Sequence, residues 1–249
     1  MGVRSRLDRG HEKVRSDARD SGLDHGAALL AQGKAQAAER VLRDVLQDFP
    51  DSAVAHALFS MALADQDRGR EAMGAAADAI GIDPHLALAH AARACALETI
   101  GLSWEAEMEG RQAVALAPTD PNRHSDLAGI VGRAGRHSEA LEITARGLSL
   151  NPGHLPSLHC RARALVSLGR VDEAQELMAS ALLDDPDLAQ LRAGIGRLLE
   201  QEGHAARAAD EYREALRLDK SVVIARHGLR RVDPPYRRLL PTNWRRKRG

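Results

Sequence analysis

The sequence predicts an all-α fold built from tandem pairs of helices, and three observations support that prediction. Five prolines recur at intervals of 34 residues, and six alanines recur at the same interval without a break. Aromatic residues make up only 2% of the 249 residues. Mainly β folds draw heavily on aromatic and β-branched side chains, so this composition argues against them. A period of this length is typical of stacked helical repeats, in which each unit packs mainly on its neighbours.

Several kinds of residue carry the 34-residue period in one register. The prolines are Pro50, Pro84, Pro118, Pro152 and Pro186. The alanines are Ala38, Ala72, Ala106, Ala140, Ala174 and Ala208. A glycine series consists of Gly33, Gly101, Gly135, Gly169 and Gly203. The second unit has Asp67 at the glycine position and Gly69 two residues later, so we expect its turn to use Gly69 instead.

The segments between these residues have the pattern of amphipathic helices. Apolar residues fall three and four positions apart, which places them on one helical face. Each unit therefore holds two helices of about 13 residues, joined by a short turn at the glycine. We expect the proline to end the second helix, because its ring and its missing N–H prevent a helix from continuing.

With proline at position 32, the repeats are 19–52, 53–86, 87–120, 121–154, 155–188 and 189–222. Position 8 is small in every repeat: Gly26, Ser60, Ala94, Ala128, Ala162 and Gly196. This pattern resembles the tetratricopeptide repeat (TPR) family, whose signature is a 34-residue helix–turn–helix with small residues and a late proline. The resemblance implies an all-α, right-handed α-α superhelix (TPR solenoid). The family's aromatic position 24 is aromatic only at Tyr212, so we expect stability to come from the summed interfaces between repeats.

The remaining segments are a polar extension at 1–18 and a cap helix with a basic tail at 223–249. Neither segment is long enough for a catalytic domain, which needs at least ~50 residues. The sequence contains no phosphate-binding loop, no zinc-protease motif and no serine-hydrolase elbow. We therefore predict a non-catalytic protein without a cofactor or metal. Two cysteines fit a reducing compartment, and no apolar run could span a membrane, so the expected location is the cytoplasm.

For the recurring histidines and for Trp104, the sequence favours a role in packing over a role in binding. His56, His90 and His124 recur at a step of 34. Helix axes ~8–10 Å apart cannot bring three such rings to one metal ion, so we expect partly buried packing with one hydrogen bond each. Trp104 is expected to pack at the start of its second helix.

The family resemblance implies that positions 2, 5, 9 and 12 of each first helix face a concave groove. The repeats there change from small apolar residues to glycines and then to arginines. The predicted lining residues are Val54, Ala57, Met61, Leu88, Ala91, Cys95, Glu98, Asn122, Ser125, Gly129, Gly132, Arg133, His159, Arg163 and Arg197. Gly129 and Gly132 lie inside a helix, which allows either close approach of a ligand or tight helix packing.

Arg163 and Arg197 share position 9 in adjacent repeats, so we expect both guanidinium groups to converge on one anionic group. The alternative is that they pair with acids such as Glu200 or are solvated. TPR domains that clamp chaperone tails have Lys and Asn at positions 5 and 9 of their first repeat, whereas this chain has Leu23 and Ala27. The groove therefore favours another protein partner, an extended or helical segment that is apolar and then acidic.

Residues 223–249 hold nine Lys and Arg against one Asp, a net charge of +8 in a chain whose total is zero. The tail combines basic residues with apolar anchors: Tyr236, Arg237, Arg238, Leu239, Leu240, Trp244, Arg245 and Arg246. The main hypothesis is a protein–protein scaffold or adaptor that binds a segment in the groove. One alternative is a structural subunit docked, or self-associated, through this tail. Another is attachment to nucleic acid or to an anionic membrane.

Overall fold

The computed structural model describes residues 19–180 and 186–233, with the backbone alone for 178–180 and 186–188. All regular secondary structure in these residues is helical, which confirms the all-α fold class. The helices are α1 (19–31), α2 (Ala35–Asp48), α3 (Ala53–Ala64), α4 (Gly69–Ile82), α5 (Ala87–Thr99), α6 (Ser103–Leu116), α7 (Pro121–Arg133), α8 (His137–Leu150), α9 (Leu155–Ser167), α10 (Val171–Ser180), α11 (Pro186–Gln201), α12 (Ala205–Leu218) and α13 (Val223–Val232).

The chain forms two compact units, residues 1–130 (unit 1) and residues 131–249 (unit 2), and the boundary falls inside α7. In each unit, consecutive helices pack as hairpins, and each hairpin packs on the next. The predicted repeat boundaries and their number stay predictions.

The short turns inside the hairpins have left-handed backbone conformations at the predicted glycines. Gly33, Gly101, Gly135, Gly169 and Gly203 have φ values between 69° and 84°. The second repeat departs from the expectation, since Asp67 itself takes the turn with φ of 59°. Gly69 is instead the first residue of α4, and a Cβ there would lie 2.6 Å from Cγ2 of Ile100. That glycine is therefore needed for packing against the next repeat.

Asp67→Gly is expected to raise the free energy of unfolding by about 0.5–1 kcal/mol. A left-handed residue with a Cβ costs about 1–2 kcal/mol, and the greater freedom of glycine in the unfolded chain cancels part of that gain. Among the described residues, the Asp67 carboxylate has no hydrogen-bond partner that the change would remove. Urea unfolding measures the effect. Gly101→Ala is the matched control and should destabilise, because its φ of 82° is strained for alanine although the space around it is open. A lower stability for Asp67→Gly would contradict this account.

The second helices end close to the predicted prolines in four repeats. They end at Asp48, Ile82, Leu116 and Leu150, two residues before the proline. Pro186 differs, because it is the first residue of α11 rather than the residue that ends α10. The first position of a helix tolerates proline, since its N–H would have no partner within the helix.

The three recurring histidines each make the hydrogen bond that the packing interpretation predicts, and His90 departs from it by making a second one, between its Nδ1 and Oε2 of Glu109 at 2.7 Å. Their Nε2 atoms lie 2.8–3.0 Å from the carbonyl oxygen of the proline six residues earlier. The pairs are His56 with Pro50, His90 with Pro84, and His124 with Pro118. The side chain therefore satisfies a carbonyl just beyond a helix end, where the backbone offers no partner. In the described part of the chain, no group of three or more His, Cys, Asp or Glu is placed to hold a metal ion.

The core of unit 1 consists largely of alanine. The larger side chains in its clusters of buried residues are leucines and one isoleucine: Leu42, Leu58, Leu63, Leu97 and Ile130. Small side chains let neighbouring helices approach closely, and each contributes little apolar area. The stability of unit 1 therefore comes from many small contacts between helices.

The core of unit 2 is a single cluster with one aromatic side chain at its centre. Tyr212 of α12 is fully buried, and its hydroxyl donates a hydrogen bond to Oε2 of Glu200 at 2.8 Å. A Cβ on Gly196 of α11 would lie 2.7 Å from Cε1 of the ring, and a Cβ on Gly228 of α13 would lie 2.1 Å from its Cζ. The two glycines therefore form a slot that admits the ring, and α13 closes the cluster.

A buried ion pair joins α11 to α12 next to this core. Nη1 of Arg192 donates to Oε2 of Glu211 at 2.9 Å, and both side chains are almost fully buried. Burial raises the pKa of Glu211, although the neighbouring Arg192 acts in the opposite direction. The pair therefore depends on both partners remaining in place.

The packing prediction for Trp104 is wrong. The side chain lies on α6 and is 70% exposed, and Met108 one turn later is also exposed. The other repeats carry Gln36, Arg70, Ser138, Asp172 and Ala206 at the same position of the second helix. A position that is mostly polar faces solvent, and this signal was available in the sequence.

Candidate functional site

The predicted lining residues in unit 1 form a surface that is only partly open. Val54, Met61 and Leu88 are half-buried and pack against one cluster that contains Leu42 and Leu58. Cys95 and Glu98 on α5 are also half-buried, and Asn122 at the start of α7 is exposed. These six residues give unit 1 a mainly apolar accessible stripe.

Four other predicted residues of unit 1 lie beneath the surface. They are Ala57, Ala91, Ser125 and Gly129, all buried. Ser125 donates its hydroxyl proton to the carbonyl oxygen of Asn122 at 2.8 Å, which is a local bond within α7. The first helices are therefore packed tightly enough to cover position 5 in these three repeats and position 9 at Gly129, so a ligand on this stripe would contact the six accessible residues named above.

The predicted residues of unit 2 include a cationic cluster, which we define as His159 and Arg163 on α9 with Arg197 on α11. His159 and Arg163 are one helical turn apart and share a face. Both side chains are half-buried, whereas Arg197 is exposed. Arg163 and Arg197 both act electrostatically on the His159 ring. The charges of the two arginines therefore both reach the same imidazole.

Two glycines provide the room for this cluster. Nη2 of Arg163 lies 3.4 Å from the position that a Cβ on Gly132 would occupy. Cε1 of His159 lies 3.3 Å from the position of a Cβ on Gly194. The space over Gly132 is therefore filled by the Arg163 side chain, which favours the packing interpretation of that glycine. Sequence reasoning missed Gly194, although a glycine inside a helix next to position 5 is a signal of close packing.

The electrostatics of the cationic cluster are set by burial and by its own charges. Burial lowers the pKa of His159, and the positive charges of Arg163 and Arg197 lower it further. The imidazole is therefore held in its neutral form more strongly than an exposed histidine, while the two guanidinium groups stay charged. Two arginines near a neutral ring are suited to a carboxylate or another oxyanion.

The acid proposed as an alternative partner for the arginines is already bound elsewhere. Glu200 accepts two hydrogen bonds from Arg231 at 2.7 and 2.9 Å and one from Tyr212. These donors lower the pKa of Glu200. Within the residues that the structure describes, Arg197 has no ion-pair partner. Its guanidinium therefore faces solvent beside His159.

The remaining predicted site residues are placed as follows. Arg133 is exposed in the last turn of α7. All tail residues singled out in the sequence, from Tyr236 to Arg246, lie outside the described residues. No helix in the described ranges is both long and apolar enough to cross a membrane.

Two family models of the tetratricopeptide repeat match separate parts of the chain, residues 23–87 and residues 133–198. Together they cover more than half of it. The chain belongs to the tetratricopeptide repeat family. TPR proteins are in general non-catalytic interaction scaffolds, and the family supports a general role in protein interaction for this chain. No curated protein matches the sequence.

Solved structures with the same fold support this assignment. The APC/C hetero-tetramer Cut9-Hcn1 is 18% identical, with a TM-score of 0.62, covering 86% of this chain and 42% of that one. PilF of Pseudomonas aeruginosa is 20% identical, with a TM-score of 0.55, covering 86% and 97%. A thermophilic TPR protein of Thermus thermophilus is 13% identical, with a TM-score of 0.56, covering 86% and 98%. The chain thus spans less than half of the first of these, and the likeness concerns the TPR fold alone.

Proposed function

We propose that this TPR protein is a non-catalytic scaffold that holds an acidic segment of a partner protein at the cationic cluster of unit 2. The observation that supports it is that the charges of Arg163 and Arg197, on two helices that pack together, both act on His159, with Arg197 exposed to solvent. A site built from two helices of adjacent repeats is more rigid than one on loops, so it can fix the direction of a bound carboxylate.

The partner predicted from the sequence has an apolar part and an acidic part, and each has a counterpart in one unit. In unit 1, Val54, Met61, Leu88 and Cys95 offer half-buried apolar surface. In unit 2, the cationic cluster offers the charge. Guanidinium groups bind carboxylates with directed hydrogen bonds, whereas an apolar stripe contributes area without direction. We therefore assign selection of the acidic part to the cationic cluster.

The double substitution Arg163→Ala with Arg197→Ala is expected to weaken binding of an acidic peptide by well over tenfold. Each charge-assisted hydrogen bond contributes about 1.5–3 kcal/mol, and a factor of ten corresponds to about 1.4 kcal/mol. The probe is a synthetic peptide with an apolar half followed by an Asp-rich half and a free carboxyl terminus. Titration calorimetry on the full chain measures the affinity, and the same peptide with Asn for Asp tests the role of charge.

The matched control is Arg136→Ala with Arg170→Ala, which removes the same number of positive charges from other positions of unit 2. Both arginines are exposed and pair with Glu139 and Glu173 three residues later. Such surface pairs contribute about 0–1 kcal/mol to stability, so the fold should be kept. An equal loss of affinity in the control and in the cluster variant would reject a specific site. Unchanged affinity in the cluster variant would reject it as well.

A further inference from the structure

His159 differs from the recurring histidines of the first helices in its bonding. His56, His90 and His124 are each fixed by a proline carbonyl. The ring of His159 makes no hydrogen bond to any residue that the structure describes. It is half-buried, it packs over Gly194, and a basic group lies on each of two helices beside it. Its ring nitrogens are therefore available to a ligand.

The charges that act on His159 lie on helices that the structure describes. Arg163 acts on it from its own helix and Arg197 from α11, and no described acid acts on the ring. Some acids of the other helices that pack on α9 have their own partners, whereas Glu142 of α8 and Glu176 of α10 form no ion pair with any described residue. Glu139 of α8 pairs with Arg136, and on α10 Glu173 pairs with Arg170 and Asp172 with Arg207. The electrostatic balance at the ring is therefore positive in the absence of ligand.

An anion bound at the arginines changes that balance. Its negative charge offsets the two guanidinium charges, and its oxygen atoms can accept a hydrogen bond from a protonated imidazole. We propose that His159 is the third binding group of this anion site, and that it takes up one proton from solvent when an anionic group binds beside Arg163 and Arg197. This inference rests on the proposed function. No other bond is formed or broken, because the proton passes from water or buffer to a ring nitrogen.

The consequence is that anion affinity depends on pH. A site that takes up one proton on binding gains affinity by up to about tenfold for each unit that the pH falls, within the window between the free and bound pKa values of the histidine. The pKa of free His159 is below 6.5, so this window lies at and around weakly acid pH. Affinity should therefore rise as the pH is lowered from about 8 towards about 6.

Sulfate is a suitable probe, because it carries two charges and does not itself titrate in this range. Binding to the full chain is measured by calorimetry in two buffers with different heats of ionisation, and the difference gives the number of protons taken up. The expected result is uptake of up to one proton per sulfate, together with a shift of the His159 ring resonances in NMR. His159→Gln should still bind sulfate but without proton uptake. His204→Gln, which changes an exposed histidine of the same unit, should behave like the unchanged chain.

Different results would contradict the proposed anion site and the proposed proton uptake. If sulfate does not bind, or binds equally to the Arg163→Ala, Arg197→Ala variant, then the anion site and the role of His159 are both wrong. If sulfate binds at the arginines but with no proton uptake, or with the same uptake in His159→Gln, the role of His159 is wrong and the anion site stands.

Discussion

Replacing Tyr212 with alanine is expected to lower the free energy of unfolding by about 3–5 kcal/mol, as for other buried aromatic side chains. The ring is fully buried at the centre of the single core cluster of unit 2. It fills a slot between Gly196 and Gly228, and neither glycine has a side chain that could move into the vacated space. The cavity would therefore stay open, and α13 would lose the ring against which Gly228 packs.

Urea unfolding followed by circular dichroism measures this loss. Tyr212→Phe is the matched control, since it keeps the ring and removes only the hydrogen bond to Glu200. We expect that control to cost about 0.5–1.5 kcal/mol, because Glu200 keeps its two bonds from Arg231. A loss below about 1 kcal/mol for Tyr212→Ala would mean that the slot collapses, and that the two glycines do not hold it open.

Replacing Arg192 with methionine is expected to destabilise the chain by about 3–5 kcal/mol, because it leaves the buried Glu211 carboxylate without its charged partner and with only the hydrogen bond to Gln175. Methionine keeps much of the apolar volume, so the loss reports the charge rather than a cavity. Burial already raises the pKa of Glu211, and removal of Arg192 takes away the strongest of the interactions that oppose this shift, leaving only the hydrogen bond to Gln175.

The pH dependence of this variant follows from the raised pKa of Glu211. An acid whose pKa is higher in the folded state binds protons on folding, so stability is greatest below its unfolded value of 4.5 and falls as the pH rises through the folded value. Arg192→Met should therefore recover part of its loss when the pH is lowered from about 7 to about 5. The double variant Arg192→Met with Glu211→Leu should be more stable than the single one at neutral pH. An equally large loss in the double variant would show that packing, not the charge, is responsible.

The sequence predicted most of the turns and helix ends because their positions depend on backbone sterics. Glycines with positive φ and prolines near helix ends restrict the chain wherever they occur, so a fixed spacing of 34 residues was sufficient. Asp67 was not assigned to the turn because the nearby Gly69 adopts a positive φ more readily, although Asp is itself enriched in that conformation and Asp67 lies at the glycine position of the series. Pro186 was ambiguous for a related reason, since proline fits both after a helix and at its first position.

The candidate site was predictable only in part. The position-9 spacing predicted that Arg163 and Arg197 would lie near each other; that stays a prediction, although both charges act on His159. The spacing could not show that Ala57 and Ala91 are covered, because burial depends on how closely neighbouring helices approach. It also could not show that Arg231, rather than Arg197, binds Glu200, because this pairing joins residues 31 positions apart through the packing of α13.

The alanine-rich interior of unit 1 and the tyrosine-centred interior of unit 2 differ in the mutations to which they are most sensitive. Most buried side chains in the clusters of unit 1 are methyl groups, so enlargement of an alanine such as Ala62 or Ala92 is damaging at more positions than truncation. In unit 2 the largest loss of buried volume is possible at one position, Tyr212. Natural variation should therefore be restricted by size at many described positions of unit 1, and by the identity of a few large residues in unit 2.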